Sequence, residues 1–177
     1  MKRALLLVAV LALAALAVWI VATSEHSVGD PPAPAGAGGA GAPEDAVAME
    51  VVSITDGDTL RLRDATGEIE DVRLVGIDTP EVHPEYECFG DEAEAELLRL
   101  APVGSVLSAA ADEDPFDDYD RMLLYLWTGE GTFVNLELVD GGFAEAIRVA
   151  PNDAWYDELL AAERAAAESG RGMWGAC

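Results

Sequence analysis

Apolar and polar positions along the chain fall into three regimes. Residues 4–22 form one unbroken apolar run behind Lys2 and Arg3, which is the pattern of a targeting or membrane segment rather than of a domain core. In residues 24–48 Pro, Gly and Ala dominate and no apolar period survives. That stretch cannot bury enough surface to offset its chain entropy and is predicted to be a disordered spacer. From residue 49 to 177 the pattern becomes that of a folded domain. Residues 49–54 are β-rich, Asp56-Gly57 is a hairpin signal, and Leu60 and Leu62 then alternate with Arg61 and Arg63. A turn at 65–68 leads into an apolar stretch at 69–77, so a three-stranded meander is expected. Residues 105–114 and 121–128 supply a fourth and a fifth strand. Helices are predicted over 91–100, with acids in the first turn and a stop at 102–104, and over 134–139, stopped by Gly141 and Gly142. A last amphipathic helix within 153–170 ends at Gly170, with Trp155, Leu159, Leu160 and Ala166 facing inward.

Five short strands, one helix between the third and fourth, and two helices at the end describe an α+β fold built on a small five-stranded barrel. Closure would remove the exposed edges of an open sheet, although a flat sheet backed by helices has the same periodicity. The division expected is therefore 1–23 as signal peptide or membrane anchor, 24–48 as linker, and 49–177 as the globular domain. A cleavable signal could use Ala15-Leu16-Ala17 as its cut, and an uncleaved anchor would place Trp19 near its outer end. Both place the domain outside the cytoplasm.

Charge narrows the picture. The 177-residue chain carries a net charge of -24, and without residues 1–23, which contain Lys2 and Arg3 and no acid, it carries -26. The remaining basic residues are all arginines. An acidic, lysine-free surface argues against a broad nucleic-acid-binding face, which needs clustered cations. It serves solubility, or life in strong salt, where screening lengths shrink. Cys88 and Cys177 are the two cysteines. In an exported chain such a pair favours a disulfide, and no CxxC or histidine at ligand spacing supports a metal instead. His26 and His83 have no such partners and read as bystanders.

The stretch VRLVGIDTPEVHP, residues 72–84, ends a core strand in charge. Period-two alternation puts Arg73 on one face with Val75 and Ile77, and Asp78 on the other. If the neighbouring strand starts at Asp58, two carboxylates meet at one rim with oxygen ligands alone, which suits a hard cation such as calcium. Glu81 follows just beyond. A cation flanked by a carboxylate and arginines is chemistry for phosphate esters: guanidinium groups bind charge on phosphoryl oxygens while the carboxylate takes a proton from water. Arg121, behind Tyr119, is a second arginine for that role, or else a surface ion pair with Asp117, Asp118 or Asp120.

In order along the chain stand DGDT, VRLVGIDTPE, FGDEA, DYDRMLLYL, VNLELVDGGFA and GMW. This series resembles the staphylococcal nuclease (thermonuclease) family over residues 49–174. The resemblance implies an OB-fold β-barrel with three helices and Ca2+-dependent hydrolysis of DNA and RNA that leaves 3'-phosphates. It implies Asp58 and Asp78 as calcium carboxylates and Thr79 as a backbone-carbonyl ligand. Glu81 matches the general base or water-orienting group, Arg73 and Arg121 the transition-state arginines, and Tyr119 a contact to a nucleotide phosphate. Two departures stand out. Asp118 and Asp120 replace a lysine and a glycine of the family pattern, and GFAEAIRVAPND lacks two nucleotide-contacting tyrosines, leaving Arg148 as a flat guanidinium that could stack on a base. The partners implied are nucleic acid, a membrane if the N-terminal segment stays uncleaved, and no second subunit. A catalytically weak nucleic-acid-binding or surface interaction module, or a structural calcium-stabilised barrel, would fit the same fold.

Overall fold

The computed structural model describes residues 41–82 and 87–177. The expected targeting segment, most of the expected linker and both histidines lie outside the described residues. In chain order the elements are β1 (Val47–Ile54), β2 (Thr59–Arg63), β3 (Ile69–Leu74), β4 (Ile77–Asp78), α1 (Gly90–Leu100), β5 (Val106–Ala110), β6 (Met122–Trp127), α2 (Val134–Asp140), β7 (Glu145–Ala146), α3 (Tyr156–Ser169) and the single turn α4 (Met173–Ala176).

Five strands close into a barrel in the order β1-β2-β3-β6-β5, as the α+β reading expected, rather than into a flat sheet. Closure pairs the backbone edges that an open sheet would expose. Neighbours are antiparallel except β3 and β6, which run parallel with Arg73 opposite Leu123. Leu60 and Leu62 of β2 and Val72 and Leu74 of β3 fill the interior, with the arginines between them turned outward. β6 is buried from Leu123 to Trp127 without alternation, because the helices cover its outer face. There Trp127 stacks on Phe133 at 4.7 Å, and Trp155 meets both edge-on. α1 buries Ala93, Leu97 and Leu100, the i, i+4, i+7 stripe its sequence predicts. Of the four inward positions expected on the last helix, Leu159 and Ala166 are fully buried, whereas Trp155 and Leu160 are half-buried.

Three expected elements differ. β1 starts at Val47 and pairs with Ala109, so the barrel takes up two residues assigned to the linker. β5 stops at Ala110, short of residue 114. The stretch 69–77 is not one strand. It breaks at Gly76, whose φ of +81° is free of strain only for glycine, and Ile77 and Asp78 then pair with Ala146 and Glu145 in a separate two-stranded ribbon. The break cancels the parity argument: Arg73 and Asp78 do not lie on opposite faces of one strand but turn toward each other.

Candidate active site

Three chain segments meet at the broken end of β3. The loop from β1 to β2 is shaped by Asp56, whose carboxylate accepts the Asp58 N–H at 3.1 Å. Gly57 in that loop is packed so closely that a Cβ would lie 2.8 Å from both the Ala93 Cβ and the Thr79 Oγ1. The loop therefore sits directly against residues 78–81 and the start of α1. The Leu74 N–H donates to the Asp58 carbonyl at 2.8 Å, which ties the loop to the end of β3.

Asp58 is only 6% exposed. Its Oδ2 accepts both the N–H and the hydroxyl of Thr79, at 2.9 and 3.0 Å. Arg73 reaches it from the neighbouring strand: Nη1 lies in ion-pair contact with Asp58 Oδ2, though not aligned as a hydrogen bond, and Nη2 donates to Asp78 Oδ1 at 2.6 Å. Asp58 and Asp78 thus converge on one positive group, as the sequence predicted they would share a rim. Burial pushes the Asp58 carboxyl up to about 6, aided by Asp56, while Arg73 and the Thr79 N–H pull the other way. Glu81 is raised too, by burial first and then by Asp56, Asp78 and Glu87, with Arg73 opposing them. Its carboxyl therefore lies in the field of the same corner.

The donor set is two carboxylates and the chain around Thr79, all oxygen. Among the described residues no three His, Cys, Asp or Glu side chains gather into a closed metal cage. An open, oxygen-only set fits a hard cation that completes its shell with carbonyl, water or phosphate oxygens.

Beside this corner a cleft of about 240 Å³ is lined by Arg73, Val75, Gly76, Asp118, Tyr119 and Arg121, among others. Arg121 immediately precedes β6, so the parallel pairing of β3 with β6 brings it to the same wall as Arg73. Its Nε donates to Asp117 Oδ2 at 2.7 Å, which realises the ion pair weighed for it without removing it from the cleft. Burial raises the Asp117 carboxyl, but the Arg121 and Tyr119 donors outweigh this and hold it below the usual range. Tyr119 is 81% exposed with the Arg121 guanidinium 5.5 Å from its ring centre. Asp118 carries no ion pair among the described residues, and Asp120 holds φ at +62° where the family pattern has glycine.

Arg148 does not join this wall. Ile147 and Val149 line the cleft, but Arg148 is clasped by Asp153 at 2.6 Å and lies over the Tyr156 ring. Cys88 and Cys177 form the expected disulfide.

Sequence reading missed two residues that hold the site. Asn135 is fully buried: its Nδ2 donates to the Val75 carbonyl at 2.9 Å, and its Oδ1 accepts the Leu126 N–H at 3.1 Å. It pins the break in β3 to β6. The signal was an asparagine on the apolar face of a short helix. Glu87 is the other; its carboxylate accepts the Glu81 N–H at 3.0 Å.

Residues 71–176 match the family model described as staphylococcal nuclease homologue. The chain is 32% identical over 127 residues to a thermonuclease of Staphylococcus intermedius, covering 70% of this chain and 74% of that protein. It is 30% identical over 131 residues to endonuclease YhcR of Bacillus subtilis, covering 68% of this chain but only 11% of that protein. An uncharacterized endonuclease of Haemophilus influenzae is 32% identical over 124 residues, 70% of this chain and 64% of that protein. With the closed barrel, the helix order and the Arg73–Asp58–Asp78 corner all in place, the chain belongs to the staphylococcal nuclease homologue family.

Proposed function

We propose that this protein is an exported, Ca2+-dependent nuclease that hydrolyses DNA and RNA phosphodiesters and leaves 3'-phosphates. The observation that carries the reading is that Arg73, on β3, and Arg121, just before β6, line one cleft immediately beside the Asp58–Asp78 carboxylate pair. Calcium bound by Asp58, Asp78 and the Thr79 carbonyl would supply positive charge beside the scissile phosphate.

The chain's own groups account for the remaining steps. The guanidinium groups of Arg73 and Arg121 hold the phosphoryl oxygens and bind the charge that grows on them as water adds to phosphorus. Glu81 orients that water and accepts its proton; burial and the neighbouring carboxylates raise its pKa, which makes it a stronger base than an ordinary surface glutamate. The bond from phosphorus to the 5'-oxygen breaks, that oxygen takes a proton from solvent and leaves as a hydroxyl, and the phosphate stays on the 3' side. Tyr119, at the cleft mouth, is placed to contact a neighbouring phosphate.

Export is supported by the apolar run at 4–22 and by the disulfide, a bond of oxidising compartments. The domain acts as a monomer, free or held at a membrane by its N-terminal segment. A second reading, a nucleic-acid-binding module with little turnover, is favoured by the unpaired Asp118 on the cleft wall and by Arg148 being held aside. Digestion of single-stranded DNA and RNA with and without calcium separates the two. Turnover that stops on chelation, with 3'-phosphate ends found by mass spectrometry, supports the nuclease. Binding without cleavage, or unchanged rates in Arg73→Ala and Glu81→Gln, overturns it.

A further inference from the structure

Glu81 is exposed and lies on a loop rather than on a strand, so the direction of its carboxylate depends on what holds its backbone. Glu87 holds it from both sides: the Glu81 N–H donates to Glu87 Oε2 at 3.0 Å, and the Glu87 N–H donates to the Glu81 carbonyl at 2.9 Å. Beneath them α1 begins at Gly90, where a Cβ would lie 2.9 Å from the Glu81 carbonyl oxygen. The Gly90 N–H in turn donates to the Glu87 carbonyl at 3.3 Å. The helix start and Glu87 therefore form one seat for Glu81.

That seat is tethered. Cys88, next to Glu87, is bonded to Cys177, 89 residues away in sequence. The Cys177 N–H donates to the Met173 carbonyl at 3.0 Å, and the Met173 N–H donates to the Gly142 carbonyl at 2.9 Å. The far end of the bridge is thus fixed to the turn that closes α2.

We propose that Glu87 is a positioning residue for Glu81 and that the Cys88–Cys177 bridge makes its hold dependent on redox state. The inference rests on Glu81 being the carboxylate that handles the water proton. Reduction by a dithiol such as dithiothreitol transfers two electrons and two protons, opens the S–S bond to two thiols, and closes the reductant into a cyclic disulfide. The residue after Glu87 then loses its link to the C-terminal turn, and Glu81 gains freedom to point away from the cleft. Misplacement of a reacting group by about 1 Å costs on the order of 100-fold.

Two measurements on the purified full chain test this. Steady-state kinetics on a single-stranded oligonucleotide should show kcat about 10- to 100-fold lower in Glu87→Ala with KM little changed. Glu87→Gln, whose amide oxygen accepts the same N–H, should retain most of the activity. Exchange of the Glu81 amide proton, followed by NMR without substrate, should be faster in Glu87→Ala than in wild type at temperatures where melting curves show both folded. Reductant should lower wild-type kcat and leave Glu87→Ala unaffected, because both act on one seat. A Glu81 amide that exchanges equally fast in both proteins overturns the proposal, whatever the activity. So does wild-type kcat in Glu87→Ala when Glu81→Gln is inactive. Losses from reductant and from Glu87→Ala that simply multiply overturn the part played by the bridge. An active Glu81→Gln removes instead the reading on which the inference rests.

Discussion

Arg73 is the residue on which the two aspartates converge, and its substitution separates charge from geometry. Arg73→Ala removes a donor aimed at the phosphoryl oxygens, for which a loss of kcat of about 100- to 1,000-fold is expected. Arg73→Lys should recover little of it, since a single ammonium cannot replace a planar fork that spans two carboxylates. Kinetics of the two variants at saturating substrate check this. Asp58 yields a prediction in pH. Its pKa is raised from 3.8 to about 6, so between those values the folded protein binds a proton that the unfolded chain has released. By linkage, its contribution to the stability of the calcium-free protein is fully present below pH 3.8 and is lost as pH rises through 6. Calcium affinity moves the opposite way, strengthening over the same rise, because only the carboxylate is a ligand. Melting curves in chelator and calorimetric titrations at pH 5 and 7 test both, and Asp58→Asn should abolish both trends. At this scale the sequence was partly legible: Arg73 meets Asp58 and Asp78 at one corner, and Arg121 shares a cleft with Arg73. Arg148 was misplaced because nothing in a local pattern shows that Asp153 would clasp it.

At the scale of elements, alternation was enough to find the barrel strands, and helical spacing found two fully buried positions of α3, Leu159 and Ala166. It failed at Val75-Gly76, because an apolar residue followed by glycine continues a period-two pattern even where the chain turns out of the barrel. The parallel pairing of β3 with β6 was also invisible, since it joins residues some 50 apart with no turn to announce it. Asn135 stabilises that junction. In Asn135→Ala the Val75 carbonyl and the Leu126 N–H lose their side-chain partner inside the protein, and each buried unpaired group costs about 1–3 kcal/mol. A loss of about 2–4 kcal/mol in urea unfolding is expected. Activity should fall as well at temperatures where the variant is still folded, because Arg73 and Arg121 are aligned across the strands that Asn135 joins.

The whole molecule carries a net charge of -24 and its proposed substrate is a polyanion, so its electrostatics oppose that substrate. Seven of the eight arginines of the described domain are ion-paired to carboxylates, which leaves no basic field around the cleft. Raising ionic strength from about 0.01 to 1 M shortens the screening length from about 30 to 3 Å. Two effects then compete. Contacts from Arg73 and Arg121 to the one scissile phosphate lose affinity through counterion uptake, by about 0.7 log units per tenfold rise in salt for a single strand. Repulsion between the acidic surface and the rest of the polymer is relieved over the same range. The slope of log affinity against log salt, measured with potassium chloride at fixed calcium, should therefore be shallower than about -0.7. The melting temperature should rise with salt, because the same carboxylates repel one another more strongly in the compact state than in the unfolded chain. A slope of about -0.7 or steeper would show that the acidic surface is not felt at the cleft. A melting temperature that falls in molar salt would show that self-repulsion does not limit the fold.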